Sequence, residues 1–175
     1  MATTYKFISK VTLSSDQASV SFTGLGSYSS LYTDLKVVLS ARTDRAYGVD
    51  ALGVYYNSDT TSARYTGKQL TGTGSGTQST SYNPFNNEGL YVVGGTATAS
   101  TFGNGEVYIP NAYGSNQKSS LVDSISENNA TLAYASIDAS LYNQTTAISS
   151  IHFVPITGTV IKSGSTFYLY GIKNS

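Results

Sequence analysis

Apolar residues recur at every second position through much of this chain, the period of a half-buried β-strand. Within residues 5–13, Tyr5, Phe7, Ser9, Val11 and Leu13 share one face. Ser14, Ser15, Asp16 and Gln17 supply turn residues, and Ala18, Val20 and Phe22 lead back, so residues 5–22 read as a hairpin. Residues 31–42 alternate most cleanly: Leu35, Val37, Leu39 and Ala41 face the core, while Lys36, Val38, Ser40 and Arg42 face away. Shorter strands are expected at residues 52–56, 64–70, 90–93, 106–109 and 118–126. Gly103, Asn104 and Gly105 carry a hairpin-turn signal just before Glu106. Residues 130–141 alternate as a strand, although their alanines would also tolerate a helix. Residues 148–156 and 165–172 close the chain. In the last segment Phe167 and Leu169 oppose Tyr168, Tyr170 and Ile172, so both faces are apolar and the strand is expected to be central or covered.

Between these strands residues 71–81 hold only Gly, Ser, Thr and Gln, with no apolar anchor. They run into Tyr82, Asn83, Pro84, Phe85, Asn86 and Asn87. The expectation is a flexible Gly/Ser/Thr-rich surface loop over residues 71–87, of a length that often serves binding. About eight to ten short strands with Gly, Ser and Asn turns, and no helical period, predict an all-β protein. The predicted architecture is an antiparallel β-sandwich of the jelly-roll kind, as a single domain over residues 1–175.

Composition narrows the function classes. Only 11% of residues are charged, against roughly 25% in an average soluble domain. Ten basic residues balance ten acidic ones, and 27 serines and 22 threonines dominate the polar positions. The nearest basic grouping, Arg42, Arg45, Arg64 and Lys68, is interspersed with Asp34, Asp44, Asp50 and Asp59, so no nucleic-acid partner is expected. No apolar run reaches 18 residues, so no membrane-spanning helix is expected, and the N-terminus has no signal-peptide pattern. A near-neutral, hydroxyl-rich surface gives copies little mutual repulsion, which suits a protein that packs against itself.

The search for chemistry is mostly negative. Cysteine is absent, which removes thiolate chemistry. The single histidine, His152, alternates with Ile151 and Phe153 and reads as an ordinary strand residue. A triad with Asp123 or Asp138 lacks a nucleophile-elbow sequence. Calcium could be held by Asp44 with Asp50, or by Asn57 with Asp59, but neither run matches a twelve-residue calcium loop, and turn capping is the simpler role. The three glutamates, Glu88, Glu106 and Glu127, are not brought together by the sequence as a glycosidase pair. Asn129 and Asn143 stand in glycosylation triplets, which matter only on a secretory route. The expectation is therefore no enzyme, with no catalytic, cofactor-binding or metal-ligating residues and no cofactor. What remains is tyrosine. Tyr47, Tyr55, Tyr56, Tyr65, Tyr82, Tyr91, Tyr113, Tyr134, Tyr142, Tyr168 and Tyr170 cannot all sit in one small core. Sheet packing, subunit contacts and stacking on sugars are the three uses open to them.

Several stretches taken together resemble a known group. They are Met1-Ala-Thr-Thr-Tyr-Lys-Phe-Ile-Ser-Lys-Val, Tyr32-Thr-Asp-Leu-Lys-Val-Val-Leu-Ser-Ala-Arg and Phe102-Gly-Asn-Gly-Glu-Val-Tyr-Ile-Pro-Asn. With them go Ser126-Glu-Asn-Asn-Ala-Thr, Ala133-Tyr-Ala and Phe167-Tyr-Leu-Tyr-Gly-Ile-Lys. The set resembles the small structural proteins of tailed bacteriophages, including phages of cyanobacteria, over nearly the whole chain. These are scaffold motifs, and they bring no catalytic residues with them. The resemblance implies a virion protein: a capsid decoration (cement) protein that binds the major capsid protein as a homotrimer on the capsid surface. The alternative is a tail- or fibre-associated module that binds a host surface glycan.

Overall fold

The computed structural model describes residues 4–82, 90–127 and 132–173. Their strands form two antiparallel sheets. The larger sheet runs β1 (Tyr5–Thr12), β12 (Thr166–Ile172), β3 (Asp34–Ala41), β8 (Gly103–Ile109), β9 (Lys118–Ile125), β10 (Ala135–Tyr142), β5 (Tyr65–Gly72), β6 (Thr77–Tyr82). The smaller runs β2 (Val20–Phe22), β11 (Ile151–Pro155), β4 (Val49–Tyr56), β7 (Leu90–Val93). The expected all-β sandwich is present, with its strands divided unequally, eight against four.

Alternation builds the core. Leu35, Val37, Leu39 and Ala41 on β3 all point inward, beside Val107 and Ile109 of β8 and Phe167 and Leu169 of β12. Leu52 and Val54 of β4, Phe153 of β11 and Leu90 and Val92 of β7 join the same cluster from the smaller sheet. Phe153 and Phe167 meet between the sheets with ring centroids 5.2 Å apart. Each such side chain contributes about 1.5–3 kcal/mol by leaving water. The predicted position of the last strand holds: β12 lies between β1 and β3, with Tyr168 and Tyr170 half-buried on its outer side.

Three sequence expectations change. Residues 5–22 are not a hairpin. β1 pairs with β12 in the large sheet, whereas β2 pairs with β11 in the small one, so residues 13–19 cross between sheets. Gly103, Asn104 and Gly105 do not turn; they lie inside β8, opposite Ala41, Ser40 and Leu39. The glycines serve close packing there, because a Cβ on Gly105 would stand 2.6 Å from Leu90 Cδ1. The loop expected over residues 71–87 contains strand: Thr77–Tyr82 pairs with β5 as an edge strand. Residues 83–87, the rest of that loop, lie outside the described residues. Of the eleven tyrosines singled out by the sequence, Tyr55, Tyr56, Tyr65 and Tyr142 belong to the core. Tyr65 and Tyr142 stack at 4.9 Å, Tyr56 lies 5.7 Å from Tyr142, and Tyr56 donates to Ser120 Oγ at 3.1 Å. Burial pushes the Tyr56 phenol up to about 12.

Candidate functional site

The outer face of the large sheet is where the chain departs from ordinary burial. Strand register lays its side chains out in rows. One row reads Lys10, Tyr168, Val38, Glu106, Asp123, Ile137, Leu70, Ser79, one residue from each strand from β1 to β6. A flanking row reads Phe7, Tyr170, Lys36, Tyr108, Leu121, Ala139, Lys68, Ser81. On the other side Asn104, Ile125, Ala135, Gly72 and Thr77 continue across β8 to β6.

Across β9, β10 and β5 the usual polarity is reversed. Leu70 and Ile137 are each 57% exposed, Ile125 52% and Leu121 45%. The inward positions on the same strands carry Gln69, Thr71, Ser120, Ser124, Ser136, Asp138 and Ser140, all buried. Those buried polar groups satisfy one another. Asp138 accepts from Tyr82 OH at 2.7 Å, Ser136 Oγ at 3.0 Å and Gln69 Nε2 at 3.4 Å, while Tyr91 N–H donates to Ser124 Oγ at 2.8 Å. A polar interior of this kind gains little from dehydration, and an aliphatic exterior gains much from being covered.

The exposed side chains line a groove of about 720 Å³. Val38, Leu70, Ile125 and Ile137 form its apolar surface, and Glu106 and Asp123 lie among them. Lys36 Nζ pairs with Glu106 at 2.7 Å. Burial, then the charge of Glu106, pushes the Asp123 carboxyl up from the ordinary value. The sequence leaves Glu106 without a partner, and strand pairing supplies Asp123. The two carboxylates stand side by side on neighbouring strands of one face. At the β1 end the same face becomes aromatic and basic: Phe7 meets Tyr170 edge-on at 6.0 Å, Lys10 lies over Tyr168 and Lys36 over Tyr5.

The other candidates resolve into structural roles. His152 bonds to Ser21 Oγ at 2.7 Å through Nδ1, and to Ser58 Oγ at 2.9 Å and Ser150 Oγ at 3.0 Å through Nε2; burial lowers its pKa. Asp59 Oδ1 accepts from Thr61 N–H and caps its turn as expected, whereas Asn57 Oδ1 accepts from the backbone N–H groups of Ser149 and Ser150 and ties its turn to the segment before β11. Asp44 holds the backbone N–H groups of Thr159 and Val160. Arg42 belongs to no basic patch: its guanidinium is inserted among the carbonyls of Gly95, Ala97, Thr98 and Thr101. Among the described residues no group of three or more His, Asp or Glu side chains is placed to hold a metal ion. Glu88 and Asn129 lie outside the described residues. Comparison with protein-family models, with curated proteins and with solved structures found no match.

Proposed function

We propose that this chain is a structural protein of a phage particle, a decoration protein that docks on the assembled capsid lattice through the open face of its large sheet. The observation that carries this reading is the reversed polarity of β9, β10 and β5, where Leu70, Leu121, Ile125 and Ile137 face solvent while serines and Asp138 are buried. Covering that aliphatic patch removes apolar area from water, which drives attachment without a dense charge pattern. The scaffold-motif resemblance supplies the phage context. A homotrimer suits the role, because three modest contacts made by one rigid body act at high effective concentration. Binding only the assembled shell then stabilises that state by linkage.

Cryo-electron microscopy of the intact phage tests the reading. Trimeric density over the capsid, with the Leu70 and Ile137 face against the shell, is the expected result. Density at the tail or fibre overturns the decoration role. On stripped shells, the Leu70→Lys/Ile137→Lys protein should remain folded and lose re-attachment. Undiminished binding by that variant would assign docking to another surface.

A further inference from the structure

A second cavity shares no lining residue with the sheet groove. It measures about 340 Å³, within the range of small-ligand sites, and lies between the loop after β3, the start of β4, β7 and the segment before β10. Three tyrosines reach it from separate parts of the chain: Tyr47, Tyr91 and Tyr134. Tyr91 and Tyr134 meet edge-on, with centroids 4.9 Å apart and an interplanar angle of 83°. The Arg45 guanidinium lies 5.0 Å over the Tyr47 ring.

Asp50 also lines this cavity, and its side chain is fully buried. One carboxylate oxygen, Oδ2, is well supplied: Thr43 Oγ1 donates at 2.8 Å and Gly158 N–H at 3.1 Å. The other, Oδ1, has no hydrogen-bond partner, the only such buried side-chain atom among the described residues. Arg45 Nη1 lies 3.9 Å from it and donates instead to the Val49 carbonyl at 3.0 Å. An unfilled carboxylate oxygen away from water costs free energy, so it marks a place where a donor is missing.

We propose that this cavity is a saccharide-binding site. Asp50 Oδ1 accepts a sugar hydroxyl, Arg45 donates to sugar oxygens, and the tyrosine rings cover the apolar C–H face of a pyranose. The balance of donors and acceptors selects this class. The neighbouring Asp44 carboxylate is spent on Thr159 and Val160, which leaves Asp50 Oδ1 as an acceptor and Arg45 as a donor, and a polyhydroxylated ligand whose hydroxyls both donate and accept fits the pair. The Arg45 side chain, 35% exposed, is the movable member of the pair through which the ligand reaches Oδ1. The site does not depend on the docking role, since it involves none of the outward residues of β9, β10 and β5.

The test is a heteronuclear NMR titration of the intact protein with separate neutral sugars (glucose, galactose, mannose and N-acetylglucosamine), each to roughly 10 mM. Saturable shifts at Arg45, Tyr47, Asp50, Tyr91 and Tyr134 for at least one sugar are expected. Tyr134→Ala should weaken that binding about tenfold while leaving the fold intact, and Asp50→Asn should do the same. Because Asp50 is buried and its replacement could unfold the protein, the Tyr134 variant carries the test alone if Asp50→Asn melts. Leu70→Lys/Ile137→Lys should bind sugar as the parent does. Shifts absent from these five residues with every sugar overturn the proposal. So does saturation by a methylammonium or nucleoside probe when no sugar saturates.

Discussion

Asp44 uses both carboxylate oxygens on one loop: Thr159 N–H at 2.7 Å and Val160 N–H at 3.0 Å on Oδ1, Thr159 Oγ1 at 2.5 Å on Oδ2. These bonds, the Thr159 hydroxyl first, hold its pKa down to about 2. Its folded value lies below the unfolded value of about 3.9, so its contribution is complete above that pH and is lost as pH falls toward 2. Asp59 moves the same way: burial pushes it up, but Arg64, the Thr61 amide and the Tyr142 hydroxyl outweigh that. Through these two groups the melting temperature should drop between about pH 4 and 2, offset in part by Asp123 and Asp138, whose carboxyls burial pushes up. In Asp44→Asn it should be lower at pH 7 and fall less on acidification. Calorimetry across that range checks both, and an unchanged melting point for Asp44→Asn at pH 7 would remove Asp44 from the account. Gly67 makes a separate case. A Cβ there would stand 2.2 Å from Cζ of Tyr82, the residue opposite it across the β5–β6 pair, because the ring lies flat over the glycine. Gly67→Ala should cost about 1–3 kcal/mol by overpacking, and the cost should shrink in a Tyr82→Ala background. Denaturant melts of the four proteins measure that coupling.

Strand position sets how each element behaves. β3 has partners on both sides, β12 and β8, and its Leu35, Val37 and Leu39 are buried. β6 pairs only with β5, and five of its six residues are exposed. Its anchors are the Tyr82 ring over Gly67 and the Tyr82 hydroxyl on Asp138. Native-state hydrogen exchange should therefore find the slowest amides in Asp34–Ala41 and fast exchange in Thr77–Tyr82. Equal protection of the two would contradict the edge assignment. The strands were legible where alternation is strong, as in β3, and their partners were not. β1 and β2 are close in sequence and sit in different sheets, because pairing is decided by which apolar faces meet across the core. The Thr- and Ser-rich β6 had no apolar period to announce it. It is a strand because β5 offers backbone hydrogen bonds and Asp138 offers an acceptor.

At the scale of the molecule, the sandwich is closed on one face and open on the other. The inner face of the large sheet packs on the four-stranded sheet, and its outer face carries the aliphatic patch beside a nearly balanced set of Lys36, Lys68, Glu106 and Asp123. An interface of that kind depends on apolar area more than on long-range charge. If the proposed docking role holds, attachment to the capsid shell should change little between about 50 and 500 mM salt, unlike a polyelectrolyte contact. A binding isotherm to stripped shells at the two salt levels reads this directly, and a loss of tenfold or more would assign docking to the lysines.

Local pattern alone was enough for the class of fold, because period-two alternation and turn residues act over a few positions. It identified the β3 core positions and the turn-capping role of Asp59. Tertiary structure decided everything that depends on which strand lies beside which. Ile137 sits between Ser136 and Asp138, and the alternation is the same whichever set points inward; the neighbours Gln69, Tyr82 and Ser120 make the polar set the buried one. Glu106 and Asp123 become neighbours only through the β8–β9 register, and Tyr47, Tyr91 and Tyr134 converge near Asp50 only because the loop after β3, strand β7 and the segment before β10 meet there. A residue's alternation is local and readable in one dimension. The surface it joins is a property of long-range pairing, which the linear order of residues does not display.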